Sequence, residues 1–80
     1  NSGMLWFDDD PKADLKAKIT KASVYYRKKY GQEPNLCLVN PCLEAEVKNN
    51  SVPIKVQVSQ FILPHHFWIG VQNDLLLRLS

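Results

Sequence analysis

The sequence predicts a small α+β domain of two layers, in which one long helix and one short helix pack on a mixed sheet of four to five strands. Three observations predict it. The stretch Pro11–Tyr30 has the periodicity and end signals of a long helix. Short apolar runs typical of strands lie on both sides of it. With 80 residues and 45% hydrophobic content, the chain has room for only one core.

The expected order of elements is β-α-β-α-β-β within one domain over residues 1–80, in which residues 1–3 before Met4 are interpreted as a cloning remnant. No apolar run approaches the roughly 20 residues of a membrane span. The N-terminus is acidic, whereas a secretory signal begins with basic residues. We therefore expect a cytoplasmic protein without a membrane partner, in which Cys37 and Cys42 are reduced thiols.

The first predicted strand covers Met4–Phe7. Its alternation places Leu5 and Phe7 on one face and Trp6 on the other. The Trp6 face is expected to point away from the long helix, which makes Trp6 a candidate surface residue.

The long helix is predicted to have chemically specified ends. Asp10 is a good N-cap acceptor, Pro11 suits the first helical position, and Gly31 suits the left-handed position after the last turn. Residues at helical spacing predict a buried stripe of Leu15, Ile19, Ala22, Tyr26 and Tyr30.

After the helix, the apolar run Leu36–Val39 does not alternate, which indicates a strand that is central or covered on both faces. Strand, helix and strand form a crossover unit, so the first two strands should run parallel. Asn40 is expected to cap a short second helix from Pro41 to about Val47.

Two alternating strands are predicted in the second half of the chain. In the strand over 54–58, Ile54, Val56 and Val58 point inward. In the strand over 66–71, one face carries Phe67, Ile69 and Val71 and the other carries His66, Trp68 and Gly70. The tail over 75–79 is either a last strand or a helical turn, and the strand is slightly favoured.

The leading functional hypothesis is a non-catalytic protein–protein interaction module that binds another protein or a second copy of itself and needs no cofactor or metal. Tryptophan is enriched at binding hot spots. A thin apolar helix face formed by Ala13, Ala17, Thr20 and Val24 offers a further contact, although such residues also occur singly on exposed helices. The candidate surface residues are Trp6, Val24, His66 and Trp68.

The alternative hypothesis is a nucleic-acid-binding domain. The stretch over 11–30 holds seven basic residues and one acidic residue, a net charge of +6 in a chain of +2. Lys12, Lys16 and Arg27 are the candidate phosphate contacts. The basic residues flank the helix on both sides, however, and no RRM, KH or zinc-finger motif accompanies them.

A third hypothesis is a small thiol- or metal-dependent enzyme. Cys37, Cys42, His65 and His66 offer zinc ligands, but adjacent histidines on an extended segment point to opposite faces. Cys42 at a helix start would need a histidine as its base. A ligand cleft is expected at the carboxyl end of Leu36–Val39, where Asn40, the second helix and the Asp8–Asp10 turn would meet.

Overall fold

The element order of the computed structural model, which describes residues 2–49 and 52–72, is the predicted β-α-β-α-β-β. The alternatives for 75–79 lie outside the described residues. The elements are β1 (Ser2–Phe7), α1 (Leu15–Tyr30), β2 (Leu36–Val39), a 3-10 turn (Pro41–Leu43), α2 (Glu44–Asn49), β3 (Lys55–Val58) and β4 (His66–Val71).

The four strands form one mixed sheet in the order β1-β4-β2-β3. β4 lies antiparallel between β1 and β2, so these two strands run in the same direction without touching. β3 is parallel to β2. The predicted parallel relation of the first two strands is therefore confirmed, and the apolar run of β2 is an inner strand as predicted. β1 and β3 form the two edges of the sheet.

The predicted start of the long helix at Pro11 is wrong by one turn. α1 begins at Leu15, and Asp14 is its N-cap, because the Asp14 carboxylate accepts a hydrogen bond from the Ala17 amide at 2.8 Å. Asp10 instead accepts from the Lys12 amide at 2.9 Å within a preceding turn. Both Asp10 and Asp14 can act as an N-cap. The helix begins after Asp14, which precedes the first buried residue, Leu15.

The predicted end of α1 is confirmed. Gly31 adopts a left-handed conformation with φ of 69°, and its amide donates to the Arg27 carbonyl oxygen at 2.8 Å. Tyr30, predicted to be buried, is 44% exposed at the last turn, where its ring lies 4.6 Å from that of Tyr26. The other four residues of the predicted stripe are buried.

The core lies between α1 and one face of the sheet. The buried cluster contains Leu15, Ile19, Ala22, Tyr26, Cys37, Val39, Phe67 and Ile69. Leu43 beside α2 and Val47 in α2 pack against the same cluster, so both helices cover the same face of the sheet.

Trp6 lies on the helix side of the sheet, contrary to the expectation that it faces away. Its ring is 5.1 Å from that of Tyr25, and it pairs in register with the buried Phe67. Alternation separates two faces of a strand but does not say which is inward, and the neighbouring strand decides this. Leu5 and Phe7 consequently point to the opposite side.

The short second helix differs slightly from its prediction. Asn40 caps it as expected, accepting from the Cys42 amide at 2.9 Å, but its first turn is a 3-10 turn and α2 continues to Asn49. β3 begins at Lys55, and Val58 is exposed because β3 is an edge strand.

The corrected N-cap leads to a testable difference between two aspartates. We expect Asp14→Ala to lower the free energy of unfolding by about 1 kcal/mol, since the Ala17 amide loses its partner. Asp10→Ala, the matched control in the preceding turn, should change it by less than about 0.5 kcal/mol. Urea denaturation measures both values, and a larger cost for Asp10→Ala would contradict the assignment.

Candidate functional site

The face of the sheet opposite the helices, here called the outer face, is apolar over three strands. Leu5 is 62% exposed and Phe7 is 56% exposed, whereas Leu36 on β2 is only 5% exposed. Within the described part of the chain, both helices lie on the other side. By strand register, the outer face of these three strands consists of Gly3, Leu5, Phe7, Leu36, Leu38, His66, Trp68 and Gly70. On the fourth strand, β3, Lys55 and Gln57 lie on the same face.

Aromatic side chains order this outer face. A Cβ atom at Gly3 would collide with the Trp68 ring, so that ring reaches across the sheet and lies on the β1 backbone. The Phe7 and His66 rings have centroids 5.1 Å apart, and Nδ1 of His66 lies 2.9 Å from the Pro64 carbonyl oxygen. The outer face is therefore a packed surface in which β1 contributes the exposed apolar groups.

The structure divides the predicted interaction residues between two sides of the sheet. His66 and Trp68 belong to the outer face, while Trp6 packs beneath α1. Val24 is 36% exposed on α1 and lines a shallow cavity of about 190 Å³. These four residues do not form one surface.

The sequence interpretation missed the two residues that expose the most apolar area on the outer face, Leu5 and Phe7. Their signal was present, since the alternation had already placed them opposite Trp6. Alternation does not show which of the two faces is exposed, and the structure exposes the face of Leu5 and Phe7.

The basic residues do not form a single patch. Lys12 lies in the turn before α1, Lys16 is exposed in its first turn, and Arg27 is near its end. The Arg27 guanidinium forms an ion pair with Glu33 at 2.8 Å, which partly neutralises it. Both side chains are more than half exposed, so this pair adds little to stability.

A cavity of about 290 Å³ lies at the carboxyl ends of β1 and β2, as the sequence predicted for a ligand cleft. Its apolar floor includes Leu15, Leu43 and Phe67. Asn40, expected to contribute, uses its side-chain oxygen for the helix cap and donates its Nδ2 to the Ile62 carbonyl at 2.7 Å. Titratable side chains on the wall are Asp10, Lys18, Cys42, Glu46 and His65.

The cavity brings Cys42 and His65 together, but Cys37 lies apart in the core. His65 has a left-handed backbone with φ of 64°, which is uncommon outside glycine. In residues 2–49 and 52–72, no three His, Cys, Asp or Glu side chains are grouped closely enough to hold a metal ion. The four residues weighed as zinc ligands are thus divided among three places: Cys37 in the core, Cys42 and His65 at the cavity, and His66 on the outer face.

Comparison of the chain with family models, with curated proteins and with solved structures gives no match. The site is therefore interpreted from its own geometry. No helix in the described part of the chain has the length and apolar character needed to cross a bilayer.

The two cysteines should differ sharply in reactivity. Burial raises the pKa of the Cys37 thiol from 9.0 to about 12, whereas Cys42 is exposed. We expect a thiol reagent such as DTNB to label one thiol of the folded protein and both after unfolding, because the thiolate is the reacting form. Cys42→Ser should abolish labelling of the folded protein, and rapid labelling of Cys37 would contradict the fold.

Cys37 should also make stability depend on pH. The folded state holds the thiol proton up to about pH 12, while the unfolded chain releases it above about pH 9, so rising pH favours unfolding in this window. We expect the free energy of unfolding of the wild type to fall relative to Cys37→Ala by about 1.4 kcal/mol per pH unit there. Parallel pH profiles would rule out this coupling.

Proposed function

We propose that the protein is a non-catalytic protein–protein interaction module that associates with a second copy of itself through β1 and the outer face. The observation that supports this proposal most directly is the exposure of Leu5 and Phe7 on the face that neither helix covers. A small domain buries a limited share of its surface. Association that removes its exposed apolar groups from water is therefore favourable.

The chemistry of this surface favours an apolar, self-complementary contact. Full burial of a side chain the size of Leu or Phe contributes about 1.5–3 kcal/mol. In a two-fold interface each residue is buried in both copies, so each contribution occurs twice. The surface contributed by β1, β4 and the outward residues of β2 carries no formally charged side chain, with histidine neutral. Lys55, the charged residue of the outer face, is on β3 at the edge opposite β1, so two copies can meet along β1 without like-charge repulsion there.

The test is the molar mass in solution by light scattering at two protein concentrations and at low and high salt. We expect a dimer whose stability changes little with salt, as an apolar interface requires. Phe7→Lys should raise the dimer dissociation constant at least about tenfold, because it brings a charge into the interface.

Val24→Lys is the matched control, since it introduces the same charge on α1, away from the outer face. It should leave the dimer intact. A wild-type monomer at every concentration, or equal effects of the two lysine variants, would overturn the proposed function. Circular dichroism checks that each variant is folded.

Nucleic-acid binding is the second hypothesis because Lys12, in the turn before α1, and Lys16, in its first turn, are both exposed. A fluorescent oligonucleotide titrated at two salt concentrations distinguishes it. Affinity that falls steeply with salt and is weakened by Lys16→Ala would support phosphate contacts.

The enzyme hypothesis keeps one support, the shared cavity of Cys42 and His65. A Cys42 labelling rate far above that of a free peptide thiol would favour it.

A further inference from the structure

We infer that the second copy docks along the open edge of β1 as an antiparallel strand, which extends the sheet from four strands to eight. This inference rests on the proposed function and specifies how the two copies meet. It concerns the backbone of β1 as well as the side chains on the outer face.

The two edges of the sheet differ in the features that prevent edge pairing. β3 has four residues, begins at Lys55 and closely follows Pro53. β1 has six residues without charge or proline, and it pairs with β4 in unbroken register over all six. Charge, proline, bulges and short length are the usual protections of an edge strand. β3 itself has two of these, the charge of Lys55 and its short length, whereas the six residues of β1 have none.

The backbone of β1 presents hydrogen-bonding groups at this edge. The Asp8 amide donates to the His65 carbonyl at 2.9 Å, so Asp8 points its backbone groups toward β4. Because these groups alternate in direction along an antiparallel strand, those of Leu5 and Phe7 point away from β4. In the described part of the chain, no strand pairs with them. A second β1 supplies the matching donors and acceptors.

Charge selects the antiparallel arrangement of two identical strands. β1 is followed at once by Asp8, Asp9 and Asp10. A parallel pair would bring the two acidic turns side by side, where their charges repel. An antiparallel pair separates them to opposite ends of the seam.

The antiparallel arrangement also joins the edge to the outer face. Its two-fold axis is perpendicular to the sheet, so the outer faces of both copies lie on the same side. Leu5 and Phe7 of one copy then become cross-strand neighbours of the same residues in the other. Backbone pairing and burial of these side chains thus occur in one interface.

The test separates the backbone contact from the side-chain contact at one position. Leu5→Pro removes the outward amide, and an edge strand tolerates proline. Leu5→Ala removes the same apolar side chain but keeps the amide. We expect the dimer of Leu5→Pro to dissociate at least about tenfold more readily than that of Leu5→Ala, because each copy loses one intermolecular hydrogen bond.

Hydrogen exchange on the unaltered protein supplies a second measurement if the proline variant fails to fold. The Leu5 and Phe7 amides should be protected at high protein concentration and exchange rapidly on dilution, whereas the Trp6 amide, which points to β4, should stay protected.

The outcomes separate the two proposals. Equal dissociation of the two Leu5 variants, with unprotected Leu5 and Phe7 amides in a dimer that Phe7→Lys still disrupts, would overturn edge pairing and leave the proposed function standing. A wild-type monomer at all concentrations would overturn both.

Discussion

The pairing of β4 with both β1 and β2 is the interaction on which the rest of the structure depends. β4 is the last described strand, yet it lies inside the sheet. Its residues Phe67 and Ile69 face the buried stripe of α1, and in register they meet β1 on one side and β2 on the other. Among the described strands, β4 is the one that connects β1 to the rest of the sheet by hydrogen bonds.

Much of this fold could be predicted from local chemistry, and the predictions that were wrong concern features that depend on contacts between distant parts of the chain. The period of the apolar residues identified each element, and Gly31 ended α1 where a left-handed residue was expected. Asp10 and Asp14 both resemble N-caps, and sequence alone does not show which one meets the sheet. The orientation of Trp6 depended on its partner Phe67, about sixty positions away along the chain.

The candidate sites were less predictable because they arise from strand order. Cys42 and His65 share a cavity only because β4 begins beside the carboxyl end of β2. Nothing in the sequence around Lys18 and Glu46 indicates that they line the same cavity. They do so because both helices lie on one face of the sheet. The alternation predicted that Leu5 and Phe7 share one face of β1. Their exposure could not be predicted, because it depends on which face of the sheet the helices cover.

The strand order itself explains both the open face and the open edge. The connections from β1 to β2 and from β2 to β3 advance in the same direction across the sheet, and each joins parallel strands. Crossovers of the preferred hand that advance in one direction place their helices on the same face. The opposite face is then left to the side chains of the strands themselves. Because β4 enters the gap between β1 and β2, it covers one side of β1 and leaves the other side as the uncharged edge.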